Sequence, residues 1–378
     1  MRRSPQLRGT NAGPHAEGAP NVRVRQPVPA RHARQGPAPT VVQALRRSVK
    51  SEVRMVPGVI TVDGRRVRFA VSDNVAEHGP GGPGTPPVWA VNIHGFFAGG
   101  GVYWRESARL AEALGWRVVN PSLPGFGGSD PLPWDNLSMA AVSEQITAVC
   151  DHVGAGPAVL LGHSMGGAVA VQYAAGHPER TLGIIYRDGV GTPAWRKRSG
   201  PITAVMAPFL PDVAAFADLL FSVAIDFPDL FMGRAYSTLR AVLPDVRRNV
   251  RAFGRTIPVG GLLTAVDQRD LVREIVERGQ IPFLPLWGIF DRIAHWATAD
   301  EVERSTGVEV LWVPGGHSWM LARPQGQGDV LRVMERGRRF VDQVEERWRE
   351  LHGTAAGEPG SHRAGSSQAP ARPVRVVS

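Results

Sequence analysis

Ala158-Val159-Leu160-Leu161-Gly162-His163-Ser164-Met165-Gly166-Gly167-Ala168-Val169 joins an apolar run, a G-x-S-x-G string and a second apolar run. The first run is short, is bounded by Gly162 and reads as a buried strand. The second continues through Ala170-Val171-Gln172-Tyr173-Ala174-Ala175 and reads as a helix. Strand, tight turn and helix, with a serine in the turn, is the setting of a nucleophile elbow. Such a turn needs small residues on both sides, and Gly162 and Gly166 supply them. Ser164 is then lifted to the strand's carboxyl end. The helix from Met165 aims its N-terminal N–H groups and positive dipole end at the same point, where a developing oxyanion is stabilised.

Upstream, Gly58–Val62 and Val67–Val71 flank Asp63-Gly64, a β-hairpin signal. Val88–Ile93 is a largely apolar strand ending at His94-Gly95, and Tyr103–Leu114 reads as a helix closed by Gly115. Arg117–Asn120 is a short strand and Ser138–Val153 a helix. Downstream, Leu182–Tyr186, Ile281–Trp287 and Val308–Val313 read as strands, and Val330–Leu351 as one long amphipathic helix. Strands alternating with helices imply a mostly parallel sheet covered on both faces. Residues 191–279 break the alternation. They are helical in pattern, cut by Pro208, Pro211, Pro228, Pro244 and Pro258, and apolar at Phe216–Phe221 and Phe227–Met232. An insertion between late strands reads as a helical cap over the strand ends.

Ser164 needs a base, and the base an orienting acid. The expected chain order is serine, acid, histidine. Gly288-Ile289-Phe290-Asp291 follows one late strand and Pro314-Gly315-Gly316-His317 the next. Asp291 and His317 are therefore the expected acid and base. Asp188, after the Leu182–Tyr186 strand, is the alternative acid, and His295 the fallback base. The oxyanion donors are the backbone N–H groups of Met165 and of Phe96, where Gly95 permits an unusual backbone. His94 is read as a loop organiser. His163 is read as structural, pointing away from the chemistry.

Charge sits at the ends. Residues 1–50 hold nine Arg and Lys50 against Glu17, a net of +9 that equals the whole chain's formal charge. Residues 353–378 add a net of +2, so 51–352 is near −2. The central part offers no basic field for nucleic acid. Residues 1–50, rich in Arg, Pro, Gly and Ala, read as a disordered basic tail able to make weak contact with anionic surfaces. Residues 353–378 read as a second disordered tail. No apolar stretch follows Arg2-Arg3, which argues against an export signal, and no run is long enough to span a membrane. Cys150 is the only cysteine, so no internal disulfide is expected, which fits a cytoplasmic location. No H-e-x-x-H or C-x-x-C spacing points to a metal, and no phosphate loop points to a cofactor, so none is expected.

Together, His94-Gly95-Phe96, Pro124-Gly125-Phe126-Gly127-Gly128-Ser129, Gly162–Gly167, Gly288–Asp291 and Gly316-His317 resemble the α/β-hydrolase superfamily in its cap-bearing branch. The resemblance covers about residues 56–350. It implies an α/β-hydrolase fold with its core at 51–190 and 280–352, a cap at 191–279, and cofactor-free serine chemistry. Many relatives carry Asp or Arg ahead of the Pro-Gly-Phe-Gly loop, where this chain has Ser122. Relatives that open epoxides or remove halides use an aspartate nucleophile, and Ser164 argues against both activities. The leading expectation is a serine hydrolase of a small hydrophobic ester or lactone. The alternatives are a carbon–carbon bond hydrolase of a diketone-like substrate and a non-catalytic binding member of the fold. The oligomeric state is not readable from the sequence.

Overall fold

A computed structural model of the chain describes residues 53–74, 78–96, 98–195, 243–245, 247–249, 251, 267–277 and 280–356. Its main sheet has eight strands: β1 (Met55–Val62), β2 (Arg65–Ser72), β3 (Trp89–Ile93), β4 (Arg117–Pro121), β5 (Ala158–His163), β6 (Thr181–Arg187), β7 (Phe283–Gly288) and β8 (Leu311–Val313). They lie in the order β1-β2-β4-β3-β5-β6-β7-β8. The hairpin β1–β2 is antiparallel and pairs antiparallel with β4; every other pairing is parallel. Asp63 and Gly64 turn the hairpin with φ of 47° and 76°, the doubly positive turn that matches strand twist.

The helices are α1 (Trp104–Leu114), α2 (Met139–Val153), α3 (Met165–Gly176), α4 (Arg269–Glu277), α5 (Trp296–Thr306), α6 (Trp319–Ala322), α7 (Gly326–Val333) and α8 (Glu335–Ala356). Ser138 caps α2 by accepting the Ala141 N–H at 3.2 Å. The sheet has two covered faces because adjacent strand residues point oppositely. Leu160 and Ile184 join one core layer with residues of α2, α3, α4 and α5. Leu161 and Ile185 join the other with residues of α1, α7 and α8. Both leucines are fully buried, each worth about 1.5–3 kcal/mol of transfer free energy.

Three expectations need correction. The long C-terminal helix is two helices, because Met334 leaves helical geometry at ψ 136° and a Cβ at Gly337 would lie 2.1 Å from the Val330 carbonyl oxygen. The last helix then runs to Ala356, into the stretch expected to be unstructured. β8 is shorter than expected. Val308 and Val310 give their N–H groups to Thr306 and Glu303 side chains instead of a neighbouring strand.

Of the expected insertion, 196–242 and 252–266 lie outside the described residues, as do both outer tails, 1–52 and 357–378. The described helical pieces include α4, whose Val272 and Ile275 join the core against α3 and α5. The layer flanking the sheet therefore takes in 269–277, a stretch expected in the insertion. Among the described residues no helix is long and apolar enough to cross a membrane.

Candidate active site

Every motif residue named from the sequence lies at or just beyond a strand's carboxyl end, where ligands of such sheets bind. Ser164 falls between β5 and α3 with φ 53° and ψ −119°, a sparsely populated conformation for a non-glycine residue. Holding it costs on the order of 1–3 kcal/mol, strain of the kind that clusters at functional sites. The surroundings enforce it. The Ser164 N–H donates to Arg187 O at 2.9 Å, and the Ser164 carbonyl accepts from Gly167. Gly166 lies so close to β3 that a Cβ there would stand 2.1 Å from the Ile93 carbonyl oxygen.

His317 and Asp291 meet. His317 Nδ1 lies 2.8 Å from Asp291 Oδ2, and both residues are buried. Asp291 Oδ1 accepts N–H groups from Ile293 at 2.7 Å and Ala294 at 2.9 Å, which fixes the carboxylate. A bond from an imidazole N–H to a carboxylate sets the tautomer and leaves Nε2 as the acceptor a nucleophile needs.

Asp188 also reaches this cluster, but its oxygens face other donors. Oδ1 accepts the Gly288 N–H and Oδ2 the Trp319 indole N–H, each at 2.7 Å. Burial, and then the neighbouring Asp291 charge, pushes the Asp188 carboxyl well above the usual carboxylate range. Asp188, Asp291 and His317 each place one ligand-type atom within 4.8 Å of the others. His295 does not join the cluster; it caps α5, its Nδ1 accepting the Ala297 N–H.

On the other side of Ser164, a Cβ at Gly95 would stand 3.3 Å from Ser164 Cβ and 3.1 Å from His163 Nδ1. The loop carrying Phe96 thus runs against the serine, with the Phe96 ring edge-on to Phe126, centroids 5.6 Å apart. Met165 is the first residue of α3, and its N–H has no partner inside the helix. His94 bridges loops as expected: Nδ1 meets Gly95 O at 2.8 Å and Nε2 accepts the Leu123 N–H at 2.9 Å. Burial lowers its pKa to about 4, which keeps the ring neutral.

Ser122 holds the Pro-Gly-Phe-Gly loop without a charged anchor. Its Oγ accepts the Gly100 N–H, and its carbonyl accepts from Ser129 Oγ and Gln145 Nε2. Sequence reasoning missed Asn249. It is fully buried, donates to Ala98 O at 2.8 Å and accepts from Gly127 N at 3.0 Å. Asn249 thereby bridges the loop after β3 and the Pro-Gly-Phe-Gly loop. No sequence signal marks it. His163 was misread in orientation: it does not turn away from the base, since its Nε2 meets the His317 carbonyl at 2.8 Å.

A cavity of about 550 Å³ opens at the opposite, amino ends of the strands, lined by Gln280, Phe283, Phe340 and Arg347 among others. Its arginines are engaged, Arg347 with Thr181 O and Pro178 O and Arg336 with Glu309. None of the catalytic candidates reaches it.

Residues 91–321 match the family model described as the alpha/beta hydrolase fold. A Mycobacterium phage D29 protein assigned as a non-heme haloperoxidase is 25% identical over 262 residues, 66% of this chain and 87% of that one. The 2-hydroxy-6-oxo-6-phenylhexa-2,4-dienoate hydrolase of Burkholderia cepacia is 35% identical over 98 residues, 25% of this chain and 34% of that one. Among solved structures, a thermophilic esterase from Thermogutta terrifontis superposes with a TM-score of 0.54 at 21% identity, covering 77% of this chain and 99% of that one.

Proposed function

From the premise that this chain belongs to the α/β-hydrolase family, we propose that it is a serine hydrolase of hydrophobic carboxylic esters or lactones. The observation that carries the reading is the 2.8 Å contact of His317 Nδ1 with Asp291 Oδ2, at the strand ends where the strained Ser164 stands. Ser164 Oγ attacks the substrate carbonyl carbon while His317 Nε2 takes its proton. Asp291 holds the imidazole tautomer and stabilises the imidazolium. The N–H groups of Met165 and Phe96 receive the oxyanion. The carbon–oxygen bond to the alcohol then breaks, and the alcohol leaves with the proton from His317. Water, deprotonated by His317, attacks the acyl-enzyme, and the acid departs as Ser164 regains its proton.

The apolar sequence at 216–221 and 227–232, outside the described residues, favours an apolar acyl or alcohol moiety. The single Cys150 fits work in a reducing compartment such as the cytoplasm. The match to a dienoate hydrolase supports a second reading, carbon–carbon bond hydrolysis through the same residues. A panel of p-nitrophenyl esters beside a ring-cleavage diketone separates the two.

Fluorophosphonate labelling tests the serine chemistry directly. The full chain should label at Ser164 and lose all turnover. Ser164→Ala should neither label nor turn over, with a loss on the order of 10⁴ to 10⁶ in kcat and an unchanged fold. Turnover retained in purified Ser164→Ala protein would end the reading.

A further inference from the structure

The residue before the nucleophile carries hydrogen bonds whose direction is fixed by their partners. His163 Nε2 lies 2.8 Å from the His317 carbonyl oxygen. A carbonyl only accepts, so Nε2 bears the proton. In the neutral ring Nδ1 is then an acceptor. The Tyr103 hydroxyl, 2.6 Å away, donates to it. That hydroxyl in turn accepts the Gly95 N–H at 3.2 Å. One unidirectional chain therefore runs from Gly95 through Tyr103 and His163 to the main chain of His317. It begins in the loop that carries Phe96, passes behind Ser164 and ends in the loop that carries the base.

We propose that Tyr103 and His163 are positioning residues that hold the oxyanion loop and the base loop in register across the nucleophile, with His163 presenting its single ring proton to the His317 carbonyl. The proposal rests on the serine-hydrolase reading and adds to it how two separate loops keep one geometry. Loop placement of this kind matters because a misplacement of about 1 Å can cost on the order of 10²-fold in rate.

The surroundings suit a neutral spacer. His163 is buried, and burial, followed by the nearby charge of His317, holds its basicity well below that of an ordinary histidine. Arg187 and His94 also face it and act in the same direction. The rings of His163 and His317 have centroids 4.8 Å apart. A charged His163 would oppose the imidazolium that forms on His317 during attack.

The test uses three variants of the full chain, each measured for fluorophosphonate labelling rate, kcat and KM on a p-nitrophenyl ester, and thermal melting. His163→Gln can place an amide N–H where Nε2 stands but leaves the Tyr103 hydroxyl without its Nδ1 acceptor, so it should lose no more than the roughly tenfold expected of Tyr103→Phe. His163→Asn reaches only the Nδ1 position, so kcat should fall by roughly 10- to 100-fold with KM unchanged. Tyr103→Phe removes a single hydroxyl and serves if the asparagine variant fails to fold; its expected loss is about tenfold, one hydrogen bond's worth. Parent-like labelling and kcat in His163→Asn or Tyr103→Phe would overturn the proposal, as would a His163→Gln protein as slow as His163→Asn. A parent protein that does not label at all would overturn both this inference and the serine-hydrolase reading. A parent that labels, with variants that label equally fast, would overturn this inference alone.

Discussion

Two aspartates compete for one histidine, and the difference lies in what each carboxylate accepts. Asp291 spends one oxygen on His317 Nδ1 and the other on the Ile293 and Ala294 N–H groups. Asp188 accepts the Gly288 N–H on one oxygen and the Trp319 indole N–H on the other, and lies against Asp291. The sequence offered both residues because both follow strands; only partners and distances separate them. Asp291→Asn should thus cost about 10⁴ in kcat, the scale set by the same change in serine proteases. Asp188→Asn replaces a double acceptor with an amide that has one oxygen, leaving one buried donor without its acceptor. It should lose about 1–3 kcal/mol of stability and far less activity. Denaturant unfolding and ester turnover of the two variants check this. If the Asp188 variant is the inactive one and the Asp291 variant is not, the acid has been assigned to the wrong strand.

Behind the site, a buried polar knot ties helices to the sheet. Arg187, at the end of β6 and fully buried, contacts Glu106 of α1, Gln327 of α7, Asn92 of β3 and the Leu161 carbonyl of β5. Asn92 in turn donates to Glu106 and to Ser107, and Ser107 donates to Asn120 of β4. Removing one charge leaves the other buried and unpaired. Arg187→Met should therefore cost about 3–5 kcal/mol, while the double change Arg187→Met with Glu106→Leu should recover much of it. Urea unfolding of both proteins is the measurement, and a single-variant cost below about 1 kcal/mol would show that the ion pair does little. Nothing in the sequence announces this knot, because Asn92, Glu106, Arg187 and Gln327 sit far apart among ordinary strand and helix patterns. The elements themselves were readable where periodicity and punctuation agree, as at β5, at α2 with Ser138 before it, and at α1 with Gly115 after it. They were misread where long-range contacts decide. The break at Met334 has no proline or glycine at that position, while Gly337 just beyond it approaches the Val330 carbonyl so closely that a Cβ would not fit. Asn249 belongs to the same class, since its two partners are set only by the folded position of the insertion.

Across the whole molecule, charge and chemistry are segregated. Every residue placed in the site falls between His94 and His317, and the first strand of the sheet begins at Met55. Residues 1–50 carry a net +9, equal to the whole chain's formal charge, and lie outside the described residues. A protein lacking residues 1–50 should keep its kcat and its melting temperature. It should lose the salt-sensitive retention on anionic vesicles or cation exchanger expected of the full chain, because exposed charges act through a field screened within about 8 Å at physiological ionic strength. The two proteins are compared by ester hydrolysis, thermal melting and retention at low and high salt. A fall in Tm of more than about 4 °C, on the order of 1 kcal/mol or more, or a clear loss of kcat, would show that the basic segment docks on the hydrolase core and contributes to it. Unchanged Tm and kcat with retention abolished would assign the segment an electrostatic role alone.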